Sequence, residues 1–207
     1  MPLDSLQFDL NWVRVPKARR QGSDQQQLPG LVVCPFTIIC DSREQLPYEF
    51  SGMEWGAGET CVVPTVVRGL AQGDYSIQGL EDRIAIERKS LDDLYGSVTW
   101  GRDRFEAEVG RLNTLAGQND PEPFIEAWLP PGGFAAVVIE ATWPEIMAPA
   151  GHRPGWINQT EPRSVVATVL AWSMRYHRVH WITAGDRRHA EIITFGILQR
   201  FWKESKP

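Results

Sequence analysis

The segment GDYSIQGLEDRIAIERKSLDD, residues 73–93, constrains the fold of this chain most. Two short runs with β-branched and aromatic residues, 75–78 and 83–89, flank a turn-like Gly-Leu-Glu-Asp sequence, and this pattern is typical of an antiparallel β-hairpin. Apolar residues then recur at helical spacing from Leu91 onward, with Ser90 placed to cap the first turn. The segment therefore predicts two paired strands followed directly by a helix.

Three charged side chains meet at one end of the predicted hairpin. A turn centred between residues 80 and 81 places Asp74 opposite Glu87. Directly opposed side chains point to the same face, with Cβ atoms roughly 5 Å apart. Strand alternation puts Lys89 on that face and Arg88 on the other. Because two like charges at this separation repel, a hairpin selected only for stability should avoid them.

A divalent cation between the two carboxylates would turn this repulsion into attraction. Mg²⁺ prefers an octahedral shell of oxygens, commonly one or two carboxylates with water and substrate phosphate, and Asp74 and Glu87 can supply the carboxylates. Lys89 can hold or help deprotonate an attacking water and offset the charge of a phosphorane-like transition state. The pattern predicts metal-assisted phosphodiester hydrolysis, whereas the ordinary interpretation of charges on a hairpin is a solvated face.

The charged residues belong to a longer motif that carries a family resemblance. Residues 73–74 (Gly-Asp), residues 87–89 (Glu-Arg-Lys) and Asp93 resemble the GD…ERKxxxD signature of the XPF/Hef structure-specific endonucleases, a branch of the metal-dependent PD-(D/E)xK nucleases. Residues 41–44, Asp-Ser-Arg-Glu, resemble the DxRE segment that those nucleases place on their first strand.

The resemblance extends beyond the motifs, over roughly residues 36–203. Residues 93–105 are similar to the family's stretch after the lysine, and residues 137–140 are similar to its next core strand. The implied fold is a single restriction-endonuclease-like α/β domain over residues 32–207, with a mixed central β-sheet flanked by helices. Alternating strand and helix patterns in the second half of the chain agree with this class.

The resemblance also implies roles for individual residues. Asp74 and Glu87 would be metal ligands, the Arg88 carbonyl would be a third ligand, and Lys89 would be the catalytic lysine. Asp41 would be a further catalytic acid near the metal and a further ligand. The implied ion is Mg²⁺ or Mn²⁺.

Three other motif residues are possible supporting residues. Arg43, beside Glu44, either pairs with a carboxylate or reaches a phosphate, and a simple surface ion pair explains it equally well. Asp93 either serves the site or lies in the first turn of the helix that Ser90 caps, where an acidic side chain is favourable.

Candidate DNA-binding residues lie in two places. Arg102 and Arg104 follow the motif, and Trp100 beside them can stack on an unpaired base, although packing in the core or a loop is the alternative for this side chain. The polar residues 1–31 are predicted to form a flexible arm whose basic cluster either holds a phosphate or is simply solvated. The members of this cluster are Lys17, Arg19 and Arg20.

Composition excludes several other classes of protein. The net charge is −5, which is unusual for a protein that binds phosphates, but a metal site itself concentrates carboxylates. The three cysteines lack CxxC spacing, which argues against a disulfide framework or a zinc site. No apolar run approaches the ~20 residues of a membrane span, and no signal-peptide pattern is present. An intracellular protein is expected, cytoplasmic in a bacterium or a phage-infected cell.

The motif and the resemblance together predict a Mg²⁺-dependent endodeoxyribonuclease. Its expected substrate is branched, flapped or otherwise irregular DNA in repair or recombination, and a homodimer through the nuclease domain is the assembly that the resemblance suggests. Helix-hairpin-helix motifs common in the family are not recognisable here, so a stand-alone bacterial or phage-like form is expected. Two alternatives stay open: a non-catalytic DNA-binding or scaffold subunit with a nuclease fold, and a hydrolase of another phosphate ester.

Overall fold

The structure, a computed structural model, describes residues 32–56, 59–118, 132–148 and 160–205. The predicted N-terminal arm lies outside the described residues. The strands of the described part are β1 (Val32–Val33), β2 (Ile38–Asp41), β3 (Met53–Gly56), β4 (Glu59–Val62), β5 (Thr65–Arg68), β6 (Tyr75–Ile77), β7 (Ile84–Lys89), β8 (Phe134–Ile139) and β9 (Val179–Thr183). The helices are α1 (Leu91–Val98), α2 (Arg102–Gly117), α3 (Trp143–Met147), α4 (Pro162–Arg175) and α5 (Arg187–Glu204).

The main sheet has six strands in the order β5-β2-β6-β7-β8-β9. Strand β6 is antiparallel to both of its neighbours, whereas β7, β8 and β9 run parallel to one another. The connections between these parallel strands contain helices, as parallel pairing requires. A smaller sheet has the order β1-β4-β3. The predicted α/β class with a mixed central sheet is confirmed.

The hairpin of β6 and β7 has the register that its sequence predicts. Tyr75 pairs with Ile86, and the Asp74 amide donates to the Ile86 carbonyl at 2.8 Å. Gly73 enters the hairpin with φ +71°, and a Cβ there would lie 3.1 Å from the same carbonyl oxygen. Glycine suits this position because it tolerates positive φ and leaves room for the neighbouring strand.

Each face of the main sheet has its own hydrophobic core. Helices α1 to α4 pack on one face, where Ala85 is buried, and α5 with the smaller sheet packs on the other, where Ile84 and Ile86 are buried. Continuous apolar sequence in β8 fits a strand covered on both faces. Because side chains alternate along β7, Glu87 and Lys89 project towards α1 and α2, while Arg88 projects towards α5.

Helices α1 and α2 meet at a tight elbow directly after the hairpin. Ser90 caps α1 by accepting the Asp93 amide, and Leu94 and Tyr95 are buried beneath it. At the elbow the Gly101 amide donates to a carbonyl of α1 at 3.0 Å. This turn holds the start of α2 close to the end of β7. No helix in the described ranges is long and apolar enough to span a bilayer.

Candidate active site

The predicted carboxylates and lysine lie together at the carboxyl end of β7. Glu87 is only 4% exposed, and Lys89 Nζ donates to its Oε1 at 2.8 Å. The same ammonium lies 4.0 Å from the ring centroid of Phe105 on α2. Asp74 Oδ2 accepts the backbone N–H of Arg88 at 2.7 Å, so the adjacent strand is held against this end of β7.

One oxygen of this cluster is buried without a partner. Glu87 Oε2 accepts no hydrogen bond from any described residue and has almost no solvent contact. A buried carboxylate oxygen left unpaired is costly, and native structures normally supply a donor or a cation. Carboxylate oxygens are ligands that Mg²⁺ prefers, but the described residues contain no group of three or more His, Cys, Asp or Glu side chains that could hold a metal ion. A cation at Asp74 and Glu87 would therefore need further ligands besides these carboxylates.

The raised pKa values of the two carboxyl groups show that both are unfavourable when charged. Burial raises the pKa of Glu87, and the Asp74 carboxylate raises it further. Burial likewise raises the pKa of Asp74, with the hydrogen bond from the Arg88 amide opposing and Glu44 adding to the rise. Both groups are therefore destabilised when charged, and a cation placed between them would reverse that effect.

Glu108 on α2 adds negative charge that the sequence motifs did not indicate. Its carboxylate contributes to the raised pKa of both Asp74 and Glu87. The signal available in the sequence was its spacing: Glu108 follows Phe105 by three residues, so both lie on one side of α2. That spacing becomes informative only when the tertiary structure brings α2 over the end of β7.

The Arg88 carbonyl lies on the β6 side of β7. The Ile86 carbonyl accepts the Asp74 amide across the hairpin, and alternate carbonyls along a strand point to the same side. The Arg88 carbonyl therefore faces the Asp74 carboxylate, beyond the start of β6. This orientation agrees with its predicted part as a third metal ligand.

The Arg88 side chain lies on the opposite face of the sheet. It donates to both oxygens of Glu140, at 2.7 and 2.9 Å, and to Glu44 at 3.4 Å. Glu140 also accepts from Arg187 and from the hydroxyl of Tyr48, both at 3.1 Å. The sequence motifs did not identify Glu140 or Tyr48 as part of this network. The network around Arg88 and Glu140 fixes the backbone of β7 from the face opposite Glu87 and Lys89.

Asp41 and Arg43 form an ion pair at the end of β2, the strand beside β6. The Asp41 amide also donates to the Asp74 carbonyl at 2.8 Å. Arg43 donates to Asp41 through Nε at 2.7 Å and through Nη2 at 3.1 Å, and the Leu70 amide donates to Asp41 Oδ2. Burial alone would raise the pKa of Asp41, but the hydrogen bonds from Arg43 and Leu70 hold it below the ordinary value. These contacts favour a role in joining two loops, and the metal-ligand role of Asp41 stays a prediction.

Asp93 takes the structural position that its sequence allows. Its carboxylate accepts the Ser90 hydroxyl at 2.6 Å, and its amide donates to the Ser90 oxygen at 3.1 Å. Asp93 also lines a hollow between α1 and α2 that Lys89 lines as well. The capping contacts are explicit, whereas a direct part in the chemistry stays a prediction.

The candidate DNA-binding residues occupy different surroundings. Arg102 turns towards α4, where Nη1 donates to Thr168 at 3.3 Å and the guanidinium lies over Trp172. Trp100 and Arg104 line the hollow beside Lys89 instead. The basic cluster of the predicted arm lies outside the described residues. Its members are Lys17, Arg19 and Arg20.

Comparisons with known proteins place the chain in a family. The model of the ERCC4 domain matches residues 40–193, a range that includes the carboxylates and the lysine of the site. XPF from Aeropyrum pernix is similar in structure at a TM-score of 0.48 and 17% identity, covering 83% of this chain and 62% of that chain. The structure of XPF from Aeropyrum pernix in complex with DNA has a TM-score of 0.48 and 18% identity, covering 83% of this chain and 66% of that chain.

The chain thus spans about two thirds of the length of these XPF structures. The comparison with curated protein sequences gave no match. The family match confirms the resemblance that the GD…ERKxxxD motif indicated. This chain belongs to the ERCC4 domain family.

Proposed function

We propose that the protein is a metal-dependent endonuclease that hydrolyses phosphodiester bonds in DNA. The observation that carries this proposal is the buried, unpartnered Oε2 of Glu87, next to Asp74 and to an ammonium held at 2.8 Å. The ERCC4 domain match and the GD…ERKxxxD motif support DNA as the substrate. A purely structural ion pair would leave neither an unpaired oxygen nor a second carboxylate beside it.

Three groups of this chain would hold Mg²⁺ or Mn²⁺: the carboxylates of Asp74 and Glu87 and the carbonyl of Arg88. When bound, the ion would polarise a phosphoryl oxygen and lower the pKa of a water molecule. Glu108 contributes negative charge at the same place. The scissile phosphate, itself negative, would therefore bind at the carboxylates more tightly when the cation is present.

Lys89 supplies the second element of the mechanism. Its Nζ lies between the Glu87 carboxylate and the face of the Phe105 ring, and both contacts stabilise an ammonium. A protonated Nζ donates hydrogen bonds, so Lys89 would orient the attacking water and offset negative charge that develops on the phosphoryl oxygens. The ring of Phe105 also limits the approach of bulk water to Nζ.

The proposed substrates are branched, flapped or otherwise irregular DNA, in repair or recombination. A panel of labelled plain duplex, flap and branched DNA, incubated with Mg²⁺, Mn²⁺ or chelator, tests both the reaction and the substrate class. We expect cleavage only with metal. Glu87→Gln and Lys89→Met should each reduce the cleavage rate by roughly 100-fold or more.

The chain provides a matched control for the lysine. Lys203 on α5 also lies over an aromatic ring, 4.6 Å from the centroid of Trp55, so Lys203→Met should leave cleavage unchanged. Equal cleavage by the wild type and by the Glu87 and Lys89 variants would overturn the mechanism. If the wild type instead binds DNA without metal and never cleaves it, the non-catalytic scaffold is the better description.

A further inference from the structure

A hollow of about 110 Å³ opens at the elbow between α1 and α2. Its lining includes Lys89 of the candidate active site, Trp100 in the elbow and Arg104 on α2. Enclosed sites for small molecules usually measure about 300–1,000 Å³. The hollow is therefore too small to enclose a cofactor, but a flat group can rest at its open side.

Trp100 is the most unusual residue of this hollow. It is 84% exposed. No other Phe, Tyr or Trp side chain in the described ranges is exposed. This exposure excludes packing in the core, whereas packing in a loop stays an alternative interpretation of this tryptophan. Exposure of a whole indole is unfavourable in water, and aromatic rings placed beside basic residues commonly serve as stacking surfaces for bases.

The backbone beneath the indole is shaped to receive it. A Cβ on Gly96 would lie only 2.9 Å from Trp100 Cζ2, and a Cβ on Gly101 would lie 3.2 Å from the Gly96 carbonyl oxygen. Two glycines thus allow the ring to lie close against α1 and allow the elbow to turn tightly. The atoms of the ring near Gly96 belong to one edge of the indole, and at 84% exposure most of the ring stays available for contact.

The charges around the ring suit a nucleotide. Arg104 and Lys89 can meet the phosphate groups, while the Asp93 carboxylate at the same hollow would repel a phosphate but accept hydrogen bonds from a base. In a duplex both faces of a base are covered by its neighbours, so only an unpaired base offers a free face. The hollow also adjoins the lysine that would contact the scissile phosphate.

We propose that the hollow between α1 and α2 is a binding site for the base of an unpaired DNA nucleotide, which stacks on Trp100 next to the phosphodiester to be cut. This inference rests on the proposed function, because the strand that supplies the base is the one cleaved at the adjoining carboxylates. It gives the site a preference for DNA with a single-stranded segment, such as a flap or an open junction.

Binding in chelator tests the inference separately from cleavage. The full chain is titrated with fluorescently labelled oligothymidine of about twelve nucleotides, within the usual range of site sizes for single strands. A second probe of equal length and charge has abasic sugars throughout. Trp100→Ala should weaken binding of oligothymidine roughly fivefold or more and should leave binding of the base-free strand unchanged. Trp100→Phe should retain most of the affinity.

Two controls make the result specific. Met174 is similarly exposed, at 83%, on α4, and Met174→Ala should affect neither probe. Arg104→Ala should weaken both probes equally, because it removes charge rather than stacking. Equal effects of Trp100→Ala on the two probes, or none on either, would overturn the inference. If the wild type cleaves DNA with metal but binds both probes equally, this inference fails and the proposed nuclease activity stands. If it prefers oligothymidine but never cleaves DNA with metal, the nuclease activity fails instead.

Discussion

Asp74 and Glu87 are the residues at which stability and the proposed chemistry are most opposed. Burial raises the pKa of both carboxyls, so the folded chain holds their protons more tightly than the unfolded chain does. A raised folded-state pKa stabilises the protein at low pH, and that contribution is lost as the pH rises through the folded value. Without metal, the site should therefore become increasingly unfavourable between mildly acidic and mildly basic pH.

We expect Asp74→Asn to stabilise the metal-free protein. The amide oxygen can still accept the Arg88 N–H, and the Glu87–Lys89 pair keeps its contact. Removing the repulsion should raise the free energy of unfolding by on the order of 1 kcal/mol near pH 8, with a smaller gain near pH 5. Urea denaturation in chelator at both pH values measures this. A variant less stable than the wild type at the higher pH would contradict the electrostatic account.

The side chain of Arg88 makes a structural contribution, whereas the metal-ligand role of its carbonyl stays a prediction. We expect Arg88→Ala to lower the free energy of unfolding by about 3 kcal/mol, because it leaves the buried Glu140 carboxylate without its bidentate partner. Both side chains of that pair are 8% exposed.

Arg187→Ala is the comparison for this prediction. Arg187 contacts the same carboxylate but is 43% exposed, so its loss should cost about 1 kcal/mol or less. Chemical denaturation of the two variants side by side gives the difference. Equal losses would show that burial does not decide the contribution of these arginines.

At the scale of elements, short helix caps position the residues around the site. Ser90 caps α1 through Asp93, and Thr142 caps the five-residue α3 through a reciprocal pair with Glu145. Helix α3 begins a segment rich in Pro and Gly, a composition typical of irregular structure. Residues 143–147 are nevertheless helical, because a capping box and a proline in the first turn stabilise so short a helix.

The cap of α1 yields a prediction about Asp93. Ser90→Ala removes the hydroxyl that accepts the Asp93 amide and donates to its carboxylate, and should lower the free energy of unfolding by about 1 kcal/mol. If Asp93 acts only through the cap, the cleavage rate per folded molecule should change little. Thermal melting combined with single-turnover cleavage tests this. A large loss of rate at unchanged stability would assign Asp93 to the chemistry.

Helix α5 shows that helical spacing alone does not decide which side chains are buried. Asp186 caps it by accepting the His189 amide. Spacing from Ala190 places Ile193 and Ile197 on the buried stripe, but both are only half-buried. Thr194 and Glu191 are buried in their place. Glu191 accepts the Phe50 amide from a distant loop, and such a tertiary contact has no signature in helical periodicity.

At the scale of the whole molecule, the sheet separates two groups of charged residues. One face of β7 carries Glu87 and Lys89 beneath α1 and α2, and the other carries the Arg88 side chain and its ion pairs beneath α5. The site lies where the parallel strands β7 and β8 both end, and open α/β sheets commonly bind ligands beyond the carboxyl ends of their strands. Substitutions on the two faces should therefore affect different properties.

Metal should stabilise the whole fold if the proposed site is correct. Mg²⁺ binding to the native state alone raises the melting temperature by mass action, and the gain should be larger near pH 8 than near pH 6, because protons compete for the carboxyls whose pKa is raised. Scanning calorimetry with Mg²⁺ or chelator measures both effects. Glu87→Gln should abolish the shift, whereas an equal shift in that variant would place the ion elsewhere.

The sequence by itself determined the hairpin, its register and the side of β7 on which each charge lies, because pairing and alternation are local geometry. The carboxylate pair, the lysine and the family followed from that short segment. Only the tertiary structure decided that Glu87 Oε2 is unpaired, that Glu108 raises the pKa of both carboxylates and that Trp100 is exposed. Burial and long-range contacts depend on which elements pack together, and spacing along the chain does not encode that.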